Sequence, residues 1–151
     1  MILDALPIDR DDVIQLLRLS HDAAGFVRHQ GGGFSFPFDP AYAERLFLMH
    51  LVADHLCLIL KSNDTARGLL MAACAEHPFG PVKIARETVW FIEPGFRGSA
   101  AVRMLDRYES WAHLNGCRYA GMAGMGDDPD VGKLYLRRGY FVAERHFLKA
   151  V

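Results

Sequence analysis

The sequence is poor in several features that would have pointed to a specific class. It has no apolar run near the roughly 20 residues needed to cross a bilayer. Its strongest run, residues 56–60, is strand-sized. Residues 1–10 carry Asp4, Pro7 and Asp9 and no apolar core of signal-peptide length. There is no net charge to speak of: 17 basic residues stand against 18 acidic ones. A basic face that would displace counterions from nucleic acid is therefore not expected. Cysteine is scarce, and its odd count (Cys57, Cys74, Cys117) at wide spacing contains no CxxC pair. That argues against a disulfide framework or a structural zinc and for reduced thiols in a cytoplasmic protein. No histidine pair has ligand spacing, since His50 and His55 are five apart and diverge on a helix, so no metal is expected. Repeats and low-complexity segments are lacking too. What remains is a chain of 151 residues, 51% hydrophobic and 23% charged, the size and balance of a single domain over residues 1–151.

Periodicity predicts a helix over residues 9–24, with Val13, Leu16, Leu17 and Ser20 on one face and acids in its first turn. Residues 25–38 break every pattern, with Gly31, Gly32 and Gly33 followed by Phe34, Phe36 and Phe38. A second helix is expected from Asp39 or Pro40 to His55, with Leu46, Phe47, Met49, His50 and Val52 turned inward. Strands over 56–61 and 66–77 around Asn63-Asp64 read as a hairpin, and a third strand runs over 83–93. A helix over 99–114 presents Val102, Leu105, Tyr108, Trp111 and Ala112, and Asn115-Gly116 ends it. A strand over 117–122, a short helix over 129–138 closed by Gly139, and a last strand over 140–151 complete the order. A hairpin-rich front half and a strand–helix–strand back half make an α+β, or mixed α/β, domain.

Two stretches carry chemistry. In residues 90–105 a strand runs through Glu93-Pro94-Gly95 and a tight Arg97-Gly98 turn directly into an amphipathic helix. A helix N-terminus with free N–H groups, a neighbouring arginine and a glycine that admits close backbone approach forms a phosphate cradle. Gly98 as a plain turn residue and Arg97 as a solvated charge is the other reading. In residues 127–140 a short helix is entered through Asp127, Asp128, Pro129 and Asp130 and closed by Gly139, with Tyr135 inside it. Taken alone, Tyr135 is a packed core aromatic as readily as a proton donor.

In this order and about 30 residues apart, the two stretches resemble the GCN5-related N-acetyltransferase (GNAT) superfamily. The first is similar to its acetyl-CoA motif, Arg/Gln-x-x-Gly-x-Gly/Ala after a strand, and the second to its Asn-x-x-Ala-x-x-Leu-Tyr-x-x-x-Gly-Phe signature. The resemblance covers residues 83–151, with the front half matching in element order only. The narrower form, Pro-x-x-Arg-Gly-Ser with Leu-Tyr-x-Arg-x-Gly-Tyr, is similar to small acetyltransferase-like proteins encoded by bacteriophages. The resemblance implies a central mixed, mainly antiparallel sheet flanked by helices, with a splayed strand pair that holds acyl-CoA. It also implies that the backbone of Trp90, Phe91 and Ile92 pairs with the pantetheine arm. The cradle for the pyrophosphate would be Arg97, Gly98, Ser99, Ala100, Ala101, Val102 and Arg103. Asp128 falls where an Asn often touches the cofactor, and Tyr135 where a general acid protonates the CoA thiolate.

The sequence departs from the pattern at three points. Ala100 and Val102 stand where small residues, usually Gly, are the rule. Asp128 brings a negative charge. The strand 119–123, Tyr-Ala-Gly-Met-Ala, lacks the frequent Glu. A base must then come from elsewhere: Glu87 and Glu93, whose even separation puts them on one strand face, with Glu87 preferred, or His50, His77 or His113, none of which has a supporting motif. The expected activity is acetyl-CoA-dependent N-acetylation of a primary amine on a small molecule or peptide, with acetyl-CoA as co-substrate and no metal. A non-catalytic acyl-CoA-binding or protein-interaction module on the same fold is the alternative. Residues 25–38 read either as a mobile lid over the acceptor or as a loop pinned by Phe34, Phe36 and Phe38. The acids Asp127, Asp128 and Asp130 suit a cationic amine or a solvated helix end. A homodimer is left open.

Overall fold

The structure, a computed structural model, describes residues 1–25, 36–124, 129–144, 146–147 and 149. The elements run β1 (Ile2–Asp4), α1 (Arg10–Ala24), α2 (Pro40–Met49), β2 (His55–Ser62), β3 (Thr65–His77), β4 (Gly80–Ile92), α3 (Ser99–Leu114), β5 (Tyr119–Gly121) and α4 (Pro129–Arg137). Short 3-10 turns over Pro7–Asp9 and Pro94–Phe96 precede α1 and α3. The five strands lie in one sheet in chain order. Every pairing is antiparallel except β4 with β5, which is parallel. This is the mixed, mainly antiparallel α+β architecture that the sequence predicts.

Alternation along β2 and β3 divides the interior in two. Leu56, Leu58, Leu60, Leu70 and Ala72 face α3 and α4, where they meet Met104, Leu105 and Tyr108. Cys57, Ile59, Leu69 and Met71 face α1 and α2, where Val13, Leu16, Leu17 and Phe47 cover them. The β2–β3 turn is built by Asn63 and Asp64, both at positive φ (48° and 57°), as a tight two-residue hairpin requires. At Gly68 the strands approach so closely that a Cβ would lie 3.0 Å from Ile92 Cγ1 and 3.2 Å from the Phe91 carbonyl oxygen.

Four expectations need correction. First, α2 ends at Met49; the next residues turn, which leaves Met49 and Val52 exposed while His50 is buried. Second, the inward stripe of α3 is Ala101, Met104, Leu105, Tyr108 and Ala112, with Ala100 beside it. Val102 lies about 100° round the helix from Ala101 and is 38% exposed. Third, no strand forms among the described residues after Gly139. Phe141, Val142 and Phe147 are exposed; strand-forming side chains with no apolar face to cover gain little from pairing. Fourth, Glu87 and Glu93 do not share a face. Met71 opposes Val89 while Ala72 opposes Glu87, so Thr88 is an extra residue in β4. A bulge of this kind shifts the alternation by one. Glu87 therefore points with Ala85 toward α3 and α4, and beyond the bulge it is Trp90 and Ile92 that do so.

Candidate functional site

The site grows from where β4 loses a neighbour. Its first half pairs with β5 through Ile84–Tyr119, Ala85–Ala120 and Arg86–Gly121. From Glu87 onward β4 pairs, among the described residues, only with β3, while β5 ends at Gly121. The two strands splay from that point and leave one edge of β4 open over Glu87 to Ile92. The bulge at Thr88 lies at the same place.

The groups at the mouth of the splay converge on one residue. Glu87 Oε2 accepts from the Ala123 N–H at 2.8 Å. Tyr135 Oη donates to the Ala123 carbonyl at 3.1 Å. Tyr108 Oη donates to the Gly121 carbonyl at 2.8 Å and fixes the same segment from below. Burial pushes the Glu87 carboxyl up to about 7, against the pull of the Ala123 and Trp90 backbone amides. Neutral and charged forms are then both populated near physiological pH. Burial, with Tyr140 and Glu87 close by, raises the Tyr108 phenol. Tyr135 is 9% exposed, with the Trp90 ring 6.0 Å and the Tyr140 ring 5.6 Å away. Among the described residues, the buried Trp90 indole N–H has no hydrogen-bond partner. In a native interior such an unmet donor costs about 1–3 kcal/mol. Helix α4 is anchored to α3 by Arg138, which grips Glu109 at 2.7 Å and Asp106 at 2.8 Å, and by Tyr140 Oη on Glu109 at 3.0 Å.

At the far end of the open edge, Pro94–Phe96 leads into the first turn of α3. Gly98 is the N-cap at φ 77°, and a Cβ there would meet nothing within 4 Å. The cap has no side chain to satisfy the first-turn amides of Ser99, Ala100 and Ala101. Arg97 turns back, its Nε donating to the Ile92 carbonyl at 3.0 Å. Arg103 reaches the Ser99 hydroxyl at 3.1 Å, and Arg67 lies 4.8 Å over the Phe96 ring.

Glu87, Trp90 and Tyr135 thus come together at the splay, and Arg97 to Arg103 gather at the α3 N-terminus. Phe91 packs on the opposite face, under α1 and α2. Asp127, Asp128 and Phe34 lie outside the described residues. Phe36 and Phe38 flank the His21 ring at 5.5 and 5.7 Å, and Arg18 stacks 4.6 Å over Phe38, so these two aromatics pin the loop end onto α1. Asp130 is exposed, 3.6 Å from Lys133.

His50, expected to turn inward, is buried, in a contact that the sequence did not show. Because α2 stops early, His50 and His55 meet with ring centroids 5.2 Å apart. His50 Nδ1 contacts the Leu46 carbonyl at 2.8 Å and Nε2 contacts the Thr88 hydroxyl at 2.8 Å. Facing a carbonyl, Nδ1 must carry the proton, so Nε2 accepts from Thr88. Burial lowers the affinity of His50 for a second proton. His50 therefore braces the bulge that follows Glu87. No helix among the described residues is long and apolar enough to cross a membrane.

No protein-family model matches the chain, and no curated protein matches it. Solved structures do. A ribosomal-protein-alanine N-acetyltransferase from Brucella melitensis biovar Abortus 2308 aligns over 100% of this chain and 99% of its own, at 15% identity and TM-score 0.73. An aminoglycoside 6'-N-acetyltransferase from Acinetobacter haemolyticus aligns over 100% and 99%, at 18% identity and TM-score 0.72. An acetyl-CoA complex of a predicted acetyltransferase from Clostridium acetobutylicum aligns over 99% and 95%, at 16% identity and TM-score 0.78. The chain has the fold of the N-acetyltransferases.

Proposed function

We propose that the protein is an acetyl-CoA-dependent N-acetyltransferase acting on a primary amine of a small molecule or peptide. The observation that carries this reading is the meeting of Glu87 and Tyr135 on the two sides of Ala123, with the Glu87 carboxyl near neutrality. A carboxyl tuned to the working pH beside a buried phenol is an arrangement suited to proton transfer. It also favours catalysis over the competing reading, a non-catalytic acyl-CoA-binding or interaction module.

The residues fit acyl-CoA in two respects. The Trp90 N–H beside the open β4 edge, unmet among the described residues, awaits an acceptor, and the Gly98 cap has no side chain to satisfy the first-turn amides. In this reading the open backbone edge of Trp90, Phe91 and Ile92 pairs with the pantetheine amides. The first-turn amides of Ser99, Ala100 and Ala101, with Arg97 and Arg103, receive the phosphates, while the Val102 N–H already donates to the Gly98 carbonyl at 3.4 Å. Asp128 is assigned to the cofactor by its motif position alone. Bound acetyl-CoA supplies the thioester acyl group. Glu87 takes the proton of the incoming amine at a carboxylate oxygen, directly or through one water. Tyr135 holds a proton at Oη for the departing sulfur. The aromatic wall of buried Tyr135 and half-buried Trp90 and Tyr140 limits the access of water to the thioester.

The test has two parts. Acetyl-CoA at about 100 times its dissociation constant adds roughly 2.7 kcal/mol to stability, read as a higher melting temperature. Absence of any shift at millimolar CoA defeats the cofactor assignment. Free CoA thiol released against a panel of amines then separates an enzyme from a binding module. Tyr135→Phe is expected to slow release about 100-fold while CoA affinity is retained. Equal losses in rate and affinity would make Tyr135 a packing residue only.

A further inference from the structure

Cys74, in β3, and Cys117, in the turn between α3 and β5, bring their Sγ atoms to 3.0 Å across 43 residues of chain. Both are free and half-buried, at the margin of the core between the sheet and α3. They are held there independently. The Cys74 N–H donates to the Asp54 carbonyl at 2.8 Å and the Cys117 N–H to the Ala112 carbonyl at 2.9 Å. The next residue, Arg118, donates to the Lys83 carbonyl at 2.8 Å. A bond of about 2.05 Å between the sulfurs needs a closure of about 1 Å, within reach of side-chain rotation. Cys57 has no such partner: it is 4% exposed and packs under α1 and α2, on the other face of the sheet.

We propose that Cys74 and Cys117 form a reversible disulfide that ties the α3–β5 junction to β3 across β4, making the stability of the fold respond to the thiol–disulfide balance of its surroundings. The oxidant is a small-molecule disulfide of the glutathione type. One protein thiolate attacks glutathione disulfide, forming a mixed disulfide and releasing one glutathione thiolate. The second protein thiolate then attacks the protein sulfur of that mixed disulfide and releases the other glutathione. Two protein thiols are oxidised and one glutathione disulfide is reduced to two thiols, so atoms and electrons balance. Burial and the neighbouring thiol push Cys74 up to about 12, so its thiolate is scarce and its exchange with glutathione disulfide is slow. The clasp lies at the paired end of β4 and β5, Cys74 standing opposite Ala85, two residues before Glu87, and does not depend on the catalytic reading.

The experiment incubates the folded, full-length protein with glutathione disulfide under native conditions, followed by peptide mapping and thermal melting. The expected product is a Cys74–Cys117 cross-linked peptide, two hydrogens lighter than its parts, with Cys57 still a free thiol. Closing a loop of this length should raise the melting temperature by about 10 °C. Dithiothreitol should reverse both changes, and Cys74→Ala and Cys117→Ala should each abolish both. A glutathione adduct that persists on either cysteine, a cross-link through Cys57, or a cross-link with no rise in melting temperature would overturn the proposal.

Discussion

The two halves of β4 behave differently although they are one strand. Before Thr88 the strand has neighbours on both sides, β3 and β5, and its alternation follows the sequence. After Thr88 its alternation is shifted and, among the described residues, it pairs only with β3, leaving one edge unpaired. One extra residue thus does two things. It turns Trp90 and Ile92 to the α3 and α4 side, the side that Glu87 already faces and where burial raises its carboxyl to about 7, and it lies where the pairing of β4 with β5 has ended. An uninterrupted strand would be a sturdier sheet element with no such edge. The exposed edge is a usual liability; here it coincides with the candidate cofactor site.

The largest expected effect comes from removing the acid at the junction. Glu87→Gln should lower transfer by about 10²–10⁴-fold, measured as CoA thiol release at saturating acetyl-CoA. The same change should stabilise the protein at pH 8. The folded carboxyl is raised from 4.5 to about 7, so the protonated form favours folding and that stability is lost as pH rises toward 7. A glutamine stays neutral and keeps it, by up to about 3 kcal/mol. At pH 4 the two proteins should melt alike.

The second half of the strand is tested at its closest contact. Gly68→Ala places a methyl against Ile92, the Phe91 carbonyl and Leu60 at 3.0–3.3 Å. It should cost about 1–3 kcal/mol in urea unfolding and weaken CoA binding by disturbing the open edge. The brace of the bulge is worth less. Thr88→Val leaves the buried His50 Nε2 without its donor and should cost about 1 kcal/mol. Because the His50 pKa is depressed below 6.5, the unfolded chain binds that proton more readily, and stability should fall as pH drops through that value. Smallest of all, Val102→Ala at an exposed helix position should alter stability by less than about 0.5 kcal/mol, with CoA affinity unchanged or tighter.

Much of this was readable in the sequence where a local rule decides. Helix α3 matches its expected limits because Gly98 and Asn115-Gly116 fix both ends, and α4 matches through Pro129 and Gly139. The Asn63-Asp64 turn was likewise legible, since short polar residues tolerate the positive φ it requires. The bulge was not. A single added residue leaves no composition signal, yet it reverses every later side chain in β4 and separates Glu87 from Glu93. The His50–Thr88 contact was hidden for a related reason. The apolar period runs on past Met49, but the helix stops there. Val102 was misassigned because the alanines at 100 and 101, too small to weigh in a hydrophobicity pattern, take the inward positions.

The most direct measurement is a carbon-13 NMR titration of the glutamate side-chain carboxyls, comparing the native sequence with Glu87→Gln. One carboxyl resonance should titrate at about 7, and it should be missing from the variant. If every carboxyl of the folded protein titrates below about 5, as unperturbed glutamates do, Glu87 is a solvated surface acid and the account of the splay as a proton-transfer site is wrong.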